Sequence, residues 1–178
     1  MNEELSVLRD VTERLTRSGI ACMLTGSMAL NLYAEPRMTR DMDIVLDINA
    51  ETVQRLSALF EPDYYISHEE LDFALRTNGM FNLIHQKHVV KIDCIVRKPD
   101  AYSLAAFARR KRMTIDGFEL DVISKEDLII AKLFWLKETD SAQQKRDIQN
   151  LLQSGYDERL LHTLTDLLGL TNLLRSVK

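Results

Sequence analysis

The sequence predicts an α/β (α+β) fold followed by an all-helical C-terminal extension. Three patterns carry this expectation. In some segments apolar residues recur three or four apart, the period of a helix; in others they alternate with polar ones, the period of a strand. The two kinds of segment alternate along the first 123 residues. From Ser124 onward only the helical period remains. We read residues 1–123 as one α/β unit and 124–178 as a helical extension that folds with it. At 178 residues, 46 % hydrophobic and 28 % charged, the chain is long enough and apolar enough to bury a sizeable core.

The elements follow in order. Leu5, Leu8, Val11 and Leu15 fall on one helical face, and the helix of residues 3–18 ends near Gly19. "IACML" (20–24) is a short buried strand. Gly26-Ser27 turns the chain into the helix "SMALNLYAE", stopped before Pro36. "DMDIVLDI" (41–48) alternates as a strand, and "AETVQRLSALF" (50–60) is a second amphipathic helix. "EELDFALR" (69–76) is a short helix. "MFNLIHQ" (80–86) and "HVVKIDCIVR" (88–97) form a hairpin around Lys87. Residues 101–110 are helical, and 112–124 is a hairpin turning at Asp116-Gly117, a favoured turn pair. Ser124 and Asp127 make a capping arrangement for a helix through Leu136. Helices over 141–153 and 157–175 complete the chain, and Trp135 with Phe134 and Leu136 is expected to pack the extension onto the sheet.

Composition excludes several classes. No apolar run approaches the roughly 20 residues of a membrane helix, and "MNEELSVLRD" lacks the basic start and apolar run of a signal peptide. Cys22 and Cys94 stand far apart in strand-like segments and read as reduced core thiols of a cytoplasmic protein. A net charge of −4 argues against broad binding to duplex nucleic acid. The one dense basic run, residues 108–114, reads either as a phosphate-contacting patch or as a cationic helix C-terminus.

The chemistry concentrates in residues 23–48. On a strand Asp41, Asp43, Val45 and Asp47 share one face, while Met42, Ile44, Leu46 and Ile48 share the core face. Two carboxylates at i and i+2 sit close enough to bind one cation, and an all-oxygen set suits Mg²⁺. Asp47, two residues further along, is expected to be peripheral. Gly26 lets the backbone approach a ligand, and the helix it opens offers N–H groups to a phosphate, with the Ser27 hydroxyl beside them. Ser27 as a plain N-cap is the alternative. Arg37 and Arg40 flank the acidic pair, to neutralise it or to meet phosphate oxygens. In "KIDCIV", Lys91 and Asp93 share a face opposite Ile92 and Cys94, as expected of a strand lying beside Asp41 and Asp43.

A strand, a Gly-Ser turn, a helix, Asp-x-Asp on a second strand and a lone Asp on a later one together resemble the DNA polymerase β-like nucleotidyltransferase superfamily. The stretch "GSMALNLYAEPRMTRDMDIVLD" is similar to its small bacterial branch, which includes the nucleotidyltransferase toxins of abortive-infection-type toxin–antitoxin systems. There a Gly-Ser turn precedes Arg-x-Thr-x-Asp-x-Asp, matched by Arg37, Thr39, Asp41 and Asp43. "SKEDLIIAKLFWLKETDSAQQKRDIQNLL" resembles the branch's later pattern, with Lys132, Arg146 and Asp147 at its marked positions. The resemblance covers residues 20–152.

The resemblance implies a nucleotidyltransferase fold, with a mixed central sheet flanked by helices. It implies Gly26 and Ser27 on the triphosphate of an NTP, with Arg37, Arg40 and Lys132 as further nucleotide contacts. Asp41 and Asp43 would hold Mg²⁺; Asp93 would share the metal and help deprotonate the acceptor hydroxyl. Two Mg²⁺ ions, replaceable by Mn²⁺, an RNA, tRNA or protein acceptor and an antitoxin partner are further implications; a small-molecule acceptor such as an aminoglycoside is less expected, for want of a large substrate domain. Two readings of Lys132 stay open: a phosphate contact in the cleft, or a solvated lysine beside Leu133-Phe134-Trp135. Arg146-Asp147 reads as an internal structural pair, or Asp147 as a support for Lys132. The alternative function is a catalytically silent nucleotide-binding or partner-binding module of the same fold.

Overall fold

A computed structural model describes residues 3–178. Its strands are β1 (Cys22–Thr25), β2 (Met42–Leu46), β3 (Tyr64–Ile66), β4 (Met80–His85), β5 (Val90–Val96), β6 (Lys111–Ile115) and β7 (Phe118–Val122). They form one mixed sheet in the order β3-β4-β5-β2-β1-β7-β6. The pairs β2–β5 and β1–β7 are parallel and the others antiparallel. The alternation expected for "DMDIVLDI" is present: Met42, Ile44 and Leu46 are buried, whereas Asp43 and Val45 are partly exposed. On β5, Ile92, Cys94 and Val96 are likewise buried and Asp93 and Ile95 are not.

The helices are α1 (Glu3–Arg17), α2 (Gly26–Tyr33), α3 (Ala50–Phe60), α4 (His68–Thr77), α5 (Ala101–Ala108), α6 (Lys125–Thr139), α7 (Ala142–Gln153), α8 (Glu158–Leu167) and α9 (Thr171–Val177). None among the described residues is long and apolar enough to cross a membrane. Val7, Leu8, Val11 and Leu15 of α1 join the core face of the sheet in one hydrophobic cluster. The β6–β7 turn has Asp116 and Gly117 both at positive φ, as a two-residue hairpin of this hand requires. Cys22 and Cys94 are free and buried.

Four details differ from the sequence reading. Strand β3 is not foreshadowed, because three residues give too little alternation to detect; it is held by the fully buried Tyr64, whose hydroxyl donates to Asp10 at 2.7 Å. The expected helix over 157–175 is two. Gly169, at φ +66°, ends α8, and the Leu170 N–H turns back to Thr165 O at 2.8 Å. Leucine spacing runs through this break, so periodicity joins what the backbone separates. Trp135 does not pack onto the sheet: it is 59 % exposed, while Leu133 and Leu136 are buried. The basic run is only in part a helix C-terminus: Arg109 caps α5 and Arg110 Nη1 donates to Phe107 O at 2.7 Å, but Lys111 onward is strand β6.

The first turn of α6 joins three elements. Ser124 is its N-cap, accepting from Asp127 N at 3.2 Å. Lys125 donates to Ser154 O and Gly155 O beyond the end of α7, and Glu126 accepts from Asp157 N at the start of α8. Asp127, fully buried, takes a two-pronged pair from Arg109 at 2.7 and 2.9 Å and the Ser124 hydroxyl at 2.6 Å. Removing Arg109 leaves that carboxylate buried and short of its cation. Arg109→Ala is therefore expected to lower stability by about 3 kcal/mol, and Arg112→Ala, a half-exposed partner of Asp121, by less than about 1 kcal/mol. Urea unfolding of the two variants measures the difference, and equal losses would deny Asp127 this role.

Candidate active site

A single row of side chains crosses the middle of the sheet. Thr25 of β1 pairs with Asp43 of β2, Asp43 with Asp93 of β5, and Asp93 with Asn82 of β4. Directly opposite residues share a face, so Asp43 and Asp93 stand side by side. This parallel register brings together two carboxylates 50 positions apart. Slipping it by one residue would set one carboxylate opposite Ile92, Cys94, Met42 or Ile44 and turn that strand's apolar set out of the core.

Gly26 opens α2 against this row. It sits at φ +65°, and a Cβ there would lie 2.0 Å from Asp43 Oδ2 and 2.7 Å from its Cγ. Glycine is thus required twice, for backbone conformation and for room. The N-cap Thr25 gives α2 no side-chain hydrogen bond, which leaves the first-turn N–H groups and their positive potential to an anion. Ser27 is not the N-cap. It lies within the first turn and accepts a hydrogen bond from Arg37 Nη2 at 2.6 Å.

The loop bearing Arg37 is pinned by two asparagines. Asn31 exchanges hydrogen bonds with the Arg37 backbone in both directions at 2.9 Å, and Asn150 does the same with Glu35 at 2.8 and 3.2 Å. The guanidinium so placed grips Asp147 through Nε at 2.9 Å and Nη2 at 3.0 Å. Asp147 also takes Lys132 Nζ at 2.7 Å and Gln143 Nε2 at 2.8 Å. Burial pushes its pKa up, but the hydrogen bonds from Arg37 and Lys132 outweigh this and hold it below the usual carboxylate range. Burial in turn pulls the Lys132 ammonium below the ordinary lysine range, against the opposing pull of Asp147. Lys132 is therefore not a solvated lysine. Arg146 is exposed and bonds Gln143 instead of forming a pair with Asp147.

The structure thus gathers Gly26, Ser27, Arg37, Asp43, Asp93 and Lys132. Asp41 lies exposed, one residue before β2, where its N–H meets the Thr39 hydroxyl. Arg40 is exposed and without an ion pair among the described residues. Asp47 is peripheral, as expected, and pairs with Arg97 at 2.6 Å. Sequence reasoning left Asn31 and Asn150 unassigned, since both bond backbone; Gln143, four residues before Asp147 on α7, was a legible helical neighbour that it passed over. In the basic run Arg109 is taken by Asp127, and Arg110 and Arg112 share Asp121.

The carboxyl of Asp43 is pushed up to about 6, first by burial, then by repulsion from Asp93 and Asp41; Lys132 and Lys91 offset part of this. Such a group asks for a cation. Asp41, Asp43 and Asp93 offer hard oxygen donors with no sulfur or imidazole, a chemistry that fits Mg²⁺. Among the described residues no three such ligands yet converge as a finished cage. Asp41 stands outside the strand, and the Lys91 ammonium lies 2.7 Å from Asp93 Oδ1.

Two expectations follow for the metal-free protein. Folded Asp43 keeps its proton up to about pH 6, whereas an unperturbed aspartate loses it near 3.8. Within this window the folded state binds the extra proton, so stability falls as pH rises and stays reduced above it. Asp43→Asn should therefore exceed wild type by about 1–2 kcal/mol, a few degrees in Tm, near pH 7.5 and match it near pH 4. Melting curves in chelator test this; an Asn variant less stable at both pH values would contradict it. Gly26→Ala should cost about 2 kcal/mol or more, and Gly117→Ala, where a Cβ meets nothing within 4 Å, about 1 kcal/mol, read from the same melts.

No protein-family model and no curated protein matches the sequence. Solved structures do match the fold. The chain is similar to ANT(2'')-Ia in complex with adenylyl-2''-tobramycin, at 14 % identity and a TM-score of 0.63 over 98 % of each chain. It is similar to the lincomycin-bound lincosamide antibiotic adenylyltransferase LnuA, at 17 % identity and a TM-score of 0.57, over 87 % of this chain and 98 % of that one. An antigenic nucleotidyltransferase-like protein from Paracoccidioides brasiliensis gives 17 % identity and a TM-score of 0.61, over 98 % of this chain and 91 % of that one. At these identities the likeness is one of architecture, and it is consistent: the chain has the nucleotidyltransferase fold.

Proposed function

We propose that this protein is a Mg²⁺-dependent nucleotidyltransferase that moves a nucleoside monophosphate from an NTP to a hydroxyl and releases pyrophosphate. The observation that carries the reading is the contact of Gly26 with Asp43. It sets an uncapped helix start, a site for phosphate, directly beside a pair of carboxylates, a site for a divalent cation. The fold supports it, since structures of this fold include a lincosamide antibiotic adenylyltransferase and ANT(2'')-Ia in complex with adenylyl-2''-tobramycin.

The residues divide the work as follows. The first-turn N–H groups of α2 and the Ser27 hydroxyl hold phosphate oxygens. Arg37 keeps Nε on Asp147 and Nη2 on Asp147 and Ser27, and its Nη1, which meets only Met38 O at 3.4 Å, is the donor left for a phosphate oxygen. Lys132, held by the same carboxylate, adds positive potential close to Asp43, and exposed Arg40 meets the outer phosphates. Asp41, Asp43 and Asp93 hold Mg²⁺ or Mn²⁺, which when bound stabilises charge on the phosphate oxygens as a Lewis acid. Asp93 takes the proton of the acceptor hydroxyl. That oxygen forms its bond to the α-phosphorus as the bond to the bridging oxygen breaks, and the electron pair leaves with pyrophosphate. Positioning and charge neutralisation are the protein's main contribution to such a step.

The acceptor is a hydroxyl of RNA, protein or a small molecule. The arginines of the basic run are engaged by Asp127 and Asp121, which favours protein or a small molecule over a polyanion. A cytoplasmic toxin held by an antitoxin partner is the setting the resemblance suggests; growth arrest on expression, abolished by Asp43→Asn, tests it. The chemistry is tested by incubating the protein with each α-phosphate-labelled NTP, Mg²⁺, total RNA and cell extract. Label transfer that drops at least about a hundredfold in Asp43→Asn and Asp93→Asn is expected. No transfer from any NTP, with Mn²⁺ also tried, would favour the silent binding module.

A further inference from the structure

Lys91 and Asp93 lie two residues apart on β5, on the face that carries Asp43. The Lys91 ammonium is 2.7 Å from Asp93 Oδ1 and 3.0 Å from Oδ2, so it straddles the carboxylate. Only the longer contact has the direction of a hydrogen bond; Oδ1 is buried and accepts none. The ammonium is thus held by one hydrogen bond together with the charge of the pair. Exposure differs sharply across the pair: the Asp93 side chain is 14 % exposed and that of Lys91 50 %. The carboxylate belongs to the sheet, and the ammonium reaches it from the solvent side. Across the ladder, Asn82 Oδ1 is a second buried oxygen without a donor. The surroundings of Asp93 therefore hold more acceptor oxygen than the protein's own donors satisfy.

We propose that Lys91 is a resident counter-ion for Asp93, and that a divalent ion binds at Asp93 by displacing it. The proposal rests on the reading of Asp93 as a metal ligand. An ammonium that straddles both oxygens leaves neither open on that side. A divalent ion brings twice the charge and sits closer to oxygen, at about 2.1 Å for Mg²⁺. The displacement is cheap, because an ion pair this open to water is worth only a factor of about two to five in an equilibrium. Once displaced, the ammonium stays tethered two residues from Asp93, free to meet a phosphate oxygen of the bound nucleotide.

The test is Mn²⁺ binding without nucleotide, read by the paramagnetic resonance signal of free Mn²⁺. Wild type, Lys91→Met, Asp93→Asn and the double variant are compared at low salt and at about 1 M salt, where the Debye length is about 3 Å. Lys91→Met is expected to bind Mn²⁺ about two- to fivefold tighter at low salt, a gain that shrinks at about 1 M salt as the exposed pair is screened. In the Asp93→Asn background the Lys91 substitution should change nothing. Equal affinity of wild type and Lys91→Met would overturn the counter-ion role and leave the metal site standing. Failure of both wild type and Lys91→Met to bind Mn²⁺ would overturn the metal reading itself.

Discussion

Two carboxylates fixed side by side in the middle of a sheet repel each other, and the structure around Asp43 and Asp93 is organised by that repulsion. The core holds them there: Met42, Ile44 and Leu46 on β2, and Ile92, Cys94 and Val96 on β5, are buried on the opposite face. Neither strand can rotate its carboxylate into water without pulling its apolar set out of the core. That set removes several large side chains from water, each worth about 1.5–3 kcal/mol, and so outweighs the repulsion of one pair. The fold therefore carries the repulsion as a standing cost, eased by proton uptake on Asp43 and by Lys91 on Asp93.

A second charge centre, at Asp147, works in the opposite sense. Here one buried carboxylate gathers two cations, Arg37 and Lys132, and the excess positive charge lies beside Ser27 at the start of α2. Leaving two cations near Ser27 without Asp147 would set like charges against each other in a half-buried place. Asp147 comes from α7, Lys132 from α6 and Arg37 from the loop after α2, so the helices after residue 124 supply the anchor of this centre. The buried first turn of α6 ties those helices together, which makes Asp127 and Asp147 counterparts: one fixes the scaffold, the other the charge it presents.

Much of this was legible in the sequence, and the boundary has physical causes. Alternation in "DMDIVLDI" gave the strand and its two faces, because a half-buried strand must alternate. Gly26 and the Asp116-Gly117 turn were legible because positive φ leaves few choices of residue. The pairing of Asp43 with Asp93 was anticipated only as a shared neighbourhood. A parallel register between strands so far apart leaves no local mark, and it is set by which apolar residues fill the core together. The Arg37–Asp147 and Arg109–Asp127 pairs were illegible for the same reason: arginines in a charged chain look alike until the fold gives one of them a buried partner. Trp135 misled because a large aromatic in an apolar run reads as core, yet the helix turns it outward at a step where Leu133 and Leu136 already fill the interior.

The arrangement also bears on why such a site tolerates being empty. A protein that needs paired carboxylates for a cation must fold, at least for a time, without it. Fully ionised and unpartnered, Asp43 and Asp93 would charge the centre of the sheet against itself. Partial protonation of Asp43 and a mobile ammonium on Asp93 both lower that charge, and both are reversible. On the proposed reading a bound cation would drive the proton off Asp43 and displace the lysine, half of whose side chain is already in water. A permanent arginine pair of the kind that fixes Asp127 would stabilise the empty fold more, but it would close the site to a metal. A weak, exposed lysine at position 91 and a strong, buried pair at Asp127 are thus two settings of one interaction, each suited to whether the carboxylate has a second partner to receive.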